Sequence, residues 1–90
     1  MTLKIVRSNE DGLVVFTLSG RVELEHVSEL QNLVDFAAAK NKVRLNLKEL
    51  RLVDREAVRF LTRCEADGVE LKNCPAYIRE WIEKERTQPK

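Results

Sequence analysis

Two neighbouring stretches decide the fold of this chain, Val43-Arg44-Leu45-Asn46-Leu47 and Leu52-Val53-Asp54-Arg55-Glu56-Ala57-Val58. The first alternates apolar and polar side chains with the two-residue period of a β-strand. The second passes from apolar residues to acidic ones and then takes up helical spacing. Together they predict a strand whose exit loop ends at a helix start, where Asp54 and Glu56 lie at the positively polarised end of the helix.

The rest of the chain continues this alternation of element types. Segments rich in β-branched and aromatic residues are strands, and an Asp11-Gly12 pair between the first two indicates a tight hairpin turn. Apolar residues that recur every three or four positions indicate helices. The predicted strands are Leu3–Arg7, Leu13–Ser19, Val43–Leu47 and Val69–Leu71, and the predicted helices are Glu23–Lys40, Asp54–Asp67 and one that starts at Pro75.

The predicted order ββαβαβα describes a small α/β domain with a mixed four-stranded sheet. Strands joined through helices run parallel with right-handed crossovers, so we expect the last three strands to be parallel and the first to be antiparallel. With the strands in chain order, the helices fall mainly on one face of the sheet, and the other face stays open to a partner or a second copy. We expect residues 1–86 to form one domain and residues 87–90 to be a frayed C-terminal tail.

The composition agrees with a single folded domain. Of the 90 residues, 43% are apolar and 34% are charged, which supplies both a core and a charged surface. The 16 basic and 15 acidic residues are interspersed and give a net charge of +1, so we expect no nucleic-acid partner. No apolar run approaches the roughly 20 residues that cross a bilayer. We therefore expect a cytoplasmic protein without direct membrane insertion.

Few residues suggest catalysis or ligand binding. The single histidine, His26, has no second His or Cys at metal-ligand spacing, and Cys64 and Cys74 match no zinc or redox motif. The Ser19-Gly20-Arg21 turn lacks the further glycines and the lysine of a phosphate-binding loop. We therefore expect no enzymatic activity, no catalytic residue, no cofactor and no metal site.

The order of these motifs resembles the STAS domain, which anti-sigma-factor antagonists and sulfate transporters share. The resemblance lies in a strand that ends in Leu18-Ser19-Gly20-Arg21, the strand Val43–Leu47, the Val53-Asp54 pair at a helix start, and Gly68-Val69-Glu70-Leu71 after that helix. It covers nearly the whole chain. It implies a bacterial regulator that binds a kinase-like anti-sigma factor or a scaffold, and whose binding is switched by phosphorylation of a Ser or Thr just after the Asp.

The chain departs from the STAS pattern at this switch position. Where the family usually has Asp followed by Ser or Thr residues and Gly, this sequence has Asp54-Arg55-Glu56-Ala57, and Glu56 falls about where the phosphorylated hydroxyl would be. Glu56 is either a permanent, partial mimic of a phosphoserine, with one charge against about −1.5 to −2, or an ordinary first-turn residue behind the N-cap Asp54. Three other hydroxyls stay open as modification sites: Ser8, Ser28 and Thr62.

The resemblance places a partner-binding region on the helix that follows Asp54 and on the Gly20-Arg21 loop. It implies that Arg21 faces Asp54 or Glu56 as a charge partner. The predicted site residues are Gly20, Arg21, Asp54, Arg55, Glu56, Ala57 and Arg59.

Two functions are consistent with this region. The first is a non-catalytic interaction module of the STAS type that docks on a kinase-like anti-sigma factor without phosphorylation at the usual position. The second is an accessory subunit of a transporter ATPase or of a signalling scaffold, in which the same surface is a permanent interface. A homodimer is a further arrangement that the open sheet face allows.

Overall fold

The computed structural model describes residues 3–87, and within them the chain forms five strands and three helices. The elements are β1 (Lys4–Glu10), β2 (Leu13–Val22), α1 (Leu24–Ala38), β3 (Lys42–Asn46), β4 (Leu50–Val53), α2 (Arg55–Ala66), β5 (Glu70–Lys72) and α3 (Ala76–Thr87). The predicted α/β class is confirmed, with β4 as one short strand more than the four expected. Of the predicted tail, Thr87 is the last residue of α3, and residues 88–90 lie outside the described residues.

The hairpin between β1 and β2 forms as the Asp11-Gly12 pair predicts. Glu10 and Leu13 are paired across the turn, so the loop has two residues. Both loop residues have positive φ, +48° at Asp11 and +82° at Gly12. Two-residue hairpin turns with positive φ match the right-handed twist of the flanking strands, and Asp-Gly is a preferred pair for them.

The sheet has the order β1-β2-β3-β5, which is the chain order predicted for the four expected strands. β1 is antiparallel to β2, whereas β3 runs parallel to both β2 and β5. β4 pairs in parallel with the last residues of β2, Gly20 to Val22. The prediction of three parallel strands with an antiparallel first strand is confirmed.

The extra strand β4 depends on an irregularity in β2. Gly20 has φ +91°, and the register between β2 and its partner shifts between Gly20 and Arg21. The Gly20 N–H donates to the carbonyl oxygen of Glu49 at 3.2 Å, just before β4 begins. Such a bulge bends a strand and re-aims its side chains, and glycine adopts the positive φ at little cost. β2 therefore extends to Val22, three residues beyond the Ser19 predicted as its end, and it keeps a partner there.

The core lies between one face of the sheet and the helices. The sheet contributes alternate residues of its central strands, Val14, Phe16 and Leu18 from β2 and Val43 and Leu45 from β3. The helices contribute Leu30, Val34 and Ala37 from α1, Ala57, Val58, Phe60, Leu61 and Cys64 from α2, and Ile78 and Ile82 from α3. Because all of these side chains belong to one buried cluster, the prediction that the helices lie mainly on one face is confirmed.

The opposite face of the sheet carries a mixed set of side chains. Val15 pairs with Arg44 and Thr17 pairs with Asn46, and these residues alternate with the core residues of the same strands. Val15 is buried but lies outside the core cluster. Arg44 Nε donates to Glu70 Oε1 at 2.8 Å across β3 and β5. This face explains the alternation in Val43–Leu47, because the three helices of the described part of the chain pack on the other face.

α3 packs on α2 rather than on the centre of the sheet. Its Ile78 and Ile82 are buried, Trp81 packs against the core cluster, and the half-exposed Tyr77 donates its hydroxyl to the carbonyl oxygen of Arg51 in β4. Among residues 3–87, no helix combines the length and the apolar character that crossing a membrane requires.

Candidate functional site

The candidate site lies where β2 and β4 end side by side. Val22 and Val53 are paired in the parallel register of the two strands, and each strand runs directly into a helix. Glu23 is the N-cap of α1 and Asp54 is the N-cap of α2. The carboxyl ends of neighbouring parallel strands meet at one edge of the sheet, so the two helix starts meet there as well.

Asp54 joins these two helix starts through a single carboxylate. Its Oδ1 accepts the N–H of Ala57 at 2.9 Å, the usual bond of an N-cap to its own helix. Its Oδ2 accepts the N–H of Leu24, the first residue of α1, also at 2.9 Å. Its own N–H donates to the carbonyl oxygen of Val22 at 3.3 Å. The sequence predicts the first of these bonds but not the other two, which depend on the pairing of β2 with β4.

A second side-chain hydrogen bond caps the start of α1. His26 Nδ1 accepts the backbone N–H of Glu23 at 3.1 Å, in the place where a capping box usually has Glu or Gln. Since Nδ1 accepts, the neutral ring carries its proton on Nε2, which lies 3.6 Å from Glu25 Oε2. The His26 side chain is only 15% exposed, so it is less solvated than a histidine on a free helix face.

The same three residues bring potential metal ligands together. One ligand atom from each of Glu23, Glu25 and His26 lies within 4.8 Å of the others. However, His26 Nδ1 already accepts the Glu23 N–H, and the Glu23 carboxylate is paired with Arg21. The group is therefore explained by the closure of a helix start, and we assign no metal to it.

Arg21 does not pair with the acidic residues at the start of α2. The pairing with Asp54 or Glu56 that the resemblance implies is wrong, because Arg21 Nη1 lies 3.5 Å from Glu23 Oε2 instead. Residues two apart in an extended segment point to the same side, which brings these two side chains together. The Asp54 carboxylate, in turn, is occupied by two backbone N–H groups.

Glu56 is accessible, but its charge is partly balanced by its own helix. Its side chain is 45% exposed, and its Oε2 lies 3.7 Å from Arg59 Nη1. Arg59 also approaches Glu85 of α3 at 3.6 Å, and Arg55 approaches the other oxygen of Glu85 at 3.5 Å. The exposed pair of Glu56 with Arg59 contributes about 0 to 1 kcal/mol, so it orients Arg59 more than it stabilises the fold.

Two exposed apolar side chains flank Asp54, and the sequence analysis did not single them out. Leu24, whose N–H bonds to Asp54, is 62% exposed, and Leu52, two residues before Asp54, is 46% exposed. A shallow cavity of about 180 Å³ beside Leu52 is lined by Gly20, Arg21, Arg51 and Leu52. We call the set Gly20, Arg21, Leu24, Arg51, Leu52, Asp54 and Arg55 the switch surface.

The structure sorts the other predicted site residues by role. Gly20 and Arg21 line the shallow cavity beside Leu52, and Asp54 joins the starts of α1 and α2. Arg55, Glu56 and Arg59 lie in the first two turns of α2, where both arginines approach Glu85 of α3. Ala57 is fully buried, so it offers the site only its backbone N–H. No sequence signal reveals the exposure of Leu52, because Leu50, Leu52 and Val53 are all apolar and burial does not alternate along this short strand.

The cysteine thiols are poor nucleophiles here. Burial raises the pKa of the Cys64 thiol to about 12, so it is protonated at neutral pH. Burial also raises the pKa of Cys74, which is partly exposed. Neither thiol lies on the switch surface.

No protein-family model and no curated protein matches this sequence. Solved structures do match its fold. An anti-sigma factor antagonist from Mycobacterium paratuberculosis aligns with 98% of this chain and 84% of its own, at 13% identity and a TM-score of 0.73. The anti-sigma factor antagonist SpoIIAA, in its unphosphorylated form, aligns with 91% of this chain and 82% of its own, at 19% identity and a TM-score of 0.66.

A third solved structure, that of Mglu, is 25% identical over 74% of this chain, with a TM-score of 0.56. This chain spans only 18% of the Mglu chain. The same fold thus makes up most of the chain in the two antagonists and a small part of a longer chain in Mglu.

Proposed function

We propose that this chain, which has the STAS-like fold of the anti-sigma-factor antagonists, is a non-catalytic protein interaction module that docks on a partner through its switch surface. The fold rests on the structural neighbours described above. The regulatory role and the location of the docking site are our proposals.

The observation that carries this proposal is the exposure of Leu24 and Leu52 on either side of Asp54. Exposed leucines scattered singly on a surface need no explanation. These two come from different elements, and both are tied to Asp54: Leu52 lies two residues before it, and the Leu24 N–H is hydrogen-bonded to its carboxylate. Preorganised apolar groups cost little entropy when they bind, so they are suited to the centre of an interface.

The charges around these leucines suggest the chemistry of the partner. Arg21 and Arg51 line the cavity beside Leu52, and the Asp54 carboxylate is occupied by backbone N–H groups. Arg21 is paired with Glu23 and Arg55 with Glu85, so Arg51 is the arginine of the switch surface without an ion pair among residues 3–87. A complementary surface would have an apolar side chain at its centre and a carboxylate at its rim, opposite Arg51. We propose a kinase-like anti-sigma factor as this partner, in a bacterial cytoplasm, with binding that does not depend on phosphorylation at position 56.

A second candidate function is that of a building block in a larger assembly, either a transporter ATPase or a signalling scaffold. The Mglu structure supports it, because the same fold occurs there as 18% of a longer chain. In that case the switch surface would be a permanent interface and the partner would stay bound during purification.

Affinity capture followed by mass spectrometry distinguishes these candidates. The bait is the full 90-residue chain, and a matched bait carries Leu24→Asp and Leu52→Thr. The interaction-module proposal predicts a kinase-like protein that is retained by the wild type and lost with the matched bait. An ATPase or scaffold component in its place would favour the second candidate, and a partner retained equally by both baits would contradict docking through the switch surface.

A further inference from the structure

We infer that Asp54 is a positioning residue that holds the two halves of the switch surface together, an inference that rests on the proposed function. One half, Leu24, belongs to α1, and the other, Leu52, belongs to β4. Asp54 follows β4 directly and accepts the N–H of Leu24, which is thirty residues away in sequence. Its carboxylate is thus a direct link between the two segments.

The choice of aspartate is more specific than capping requires. Serine, asparagine and aspartate cap helices about equally well, because each offers one side-chain oxygen to the first turn. Only a carboxylate offers two acceptor oxygens and no donor. Asp54 uses one oxygen for Ala57 of its own helix and the other for Leu24 of the neighbouring helix, both at 2.9 Å. A single-oxygen cap would serve α2 and leave Leu24 without this acceptor.

The backbone of Leu24 gains most from this bond. The first N–H groups of a helix have no partner within the helix, and they rely on caps or water. The His26 side chain serves the N–H of Glu23, so it leaves the N–H of Leu24 to Asp54. Since the Leu24 side chain is 62% exposed, packing does little to hold this residue in place. The bond to Asp54 is therefore the main contact that orders Leu24 before a partner arrives.

The consequence is that Asp54 affects binding without touching the partner. Without the bond, the first turn of α1 frays, and its ordering must occur on binding. Partner affinity should then fall even though α2 stays capped and the core stays intact.

Three substitutions separate the two roles of the carboxylate. Asp54→Asn keeps the shape and one acceptor oxygen, and Asp54→Ala removes both acceptors. Asp67→Asn is the control, because it makes the same chemical change at the exposed C-cap of α2. NMR-detected exchange of the Leu24 and Ala57 amides with water is measured first, without any partner. We expect Leu24 exchange to rise about tenfold in Asp54→Asn, which corresponds to one lost hydrogen bond to a charged acceptor, and Ala57 to change less. Both amides should accelerate in Asp54→Ala, and neither should in Asp67→Asn.

Binding is then measured by calorimetry with the purified kinase-like protein recovered in the capture experiment. We expect Asp54→Asn to weaken binding about tenfold and Asp67→Asn to change it less than twofold. An unchanged Leu24 amide in Asp54→Ala overturns the link itself. If the Leu24 amide of Asp54→Asn exchanges faster but partner affinity is unchanged, the positioning role is overturned and docking through the switch surface is not. Unchanged affinity in Leu24→Asp/Leu52→Thr overturns the proposed function.

Discussion

Asp54 and Glu56 stand two residues apart at one helix start, and they have different tasks. Both carboxylate oxygens of Asp54 accept backbone N–H groups, so the carboxylate is used within the fold. The Glu56 side chain is 45% exposed, and within residues 3–87 its ion-pair partner is Arg59, at 3.7 Å. The hypothesis that Glu56 imitates a phosphorylated side chain therefore concerns an accessible carboxylate whose field Arg59 weakens. Its ordinary role, a favourable charge in the first turn of α2, is worth about 0.3 to 1 kcal/mol.

The mimic hypothesis predicts a specific outcome for Glu56→Ser. The substitution removes the charge and restores a hydroxyl, so partner affinity should change, while the free energy of unfolding should change by about 0.5 kcal/mol or less because the site is exposed. Calorimetric binding and urea unfolding measure the two quantities. Glu80→Ser, at an exposed position of α3, is the control for removing one negative charge. Equal affinities of the wild type and Glu56→Ser would leave Glu56 as a helix-start residue only.

At the scale of elements, α2 and α3 are joined by a fork of charge-assisted hydrogen bonds. The two terminal nitrogens of Arg79 donate to the two oxygens of Glu65, at 3.0 and 3.1 Å, and Arg86 also donates to Glu65. Bidentate pairs of this geometry are among the stronger ion pairs. The Arg79 guanidinium therefore holds the pKa of Glu65 below its usual 4.5.

This lowered pKa predicts how stability depends on pH. Because the carboxyl group of Glu65 is more acidic in the folded chain, its contribution is present above about pH 4.5 and is lost as the pH falls through the lower folded value. In Glu65→Gln the free energy of unfolding should be smaller at neutral pH and should fall less steeply below pH 4.5. Urea unfolding between pH 3 and pH 7 measures this, with Glu80→Gln as the control. If the free energy of unfolding depends on pH in the same way in the wild type and in Glu65→Gln, the lowered pKa of Glu65 is rejected.

Element types follow from the sequence, but element ends and the extra strand do not. The apolar spacing along α1 and α2 and the alternation in β3 extend over enough residues to specify a period. β4 has only four residues, and Arg51 and Leu52 both face outward between the buried Leu50 and Val53, so no alternation is visible. The strand exists because the end of β2 beyond the Gly20 bulge needs a hydrogen-bonding partner.

The same distinction applies to the candidate site. The cap of Asp54 on α2 is local, and the Asp-x-x-Ala spacing is enough to predict it. Its bond to Leu24 is not local, because it depends on the pairing of β2 with β4. The pairing predicted for Arg21 is wrong for a different reason: its carboxylate partner is Glu23, two residues on in the same extended segment, and not a residue of α2.

The whole molecule is small, so a few buried side chains carry much of its stability. Phe60 is the largest fully buried side chain, and it lies in α2, which packs against both other helices and the sheet. Among residues 3–87 no helix covers the opposite sheet face, and the pairing of two copies through it remains a prediction. A domain of this size has about 5 to 15 kcal/mol of stability in total.

Removing Phe60 should therefore have a global effect. Phe60→Ala is expected to cost about 3 to 5 kcal/mol, because it removes buried apolar surface and leaves a cavity. Phe36→Ala is the matched control, since Phe36 lies on α1 and is 80% exposed. Urea unfolding followed by circular dichroism should place the midpoint of Phe60→Ala far below that of the wild type and leave Phe36→Ala almost unchanged. A small shift for Phe60→Ala would contradict the single-core description.

Binding of the purified kinase-like partner to three versions of the chain tests the central claim most directly. They are the wild type, Leu24→Asp/Leu52→Thr, and Phe36→Asp, which changes an exposed apolar residue at the far end of α1. Asp is favoured at a helix start and Thr in a strand, so the double variant should fold, and circular dichroism verifies this. We predict binding at least about tenfold weaker for the double variant and unchanged for Phe36→Asp, as expected when two central apolar contacts are lost. Equal affinity of all three would contradict docking through the switch surface.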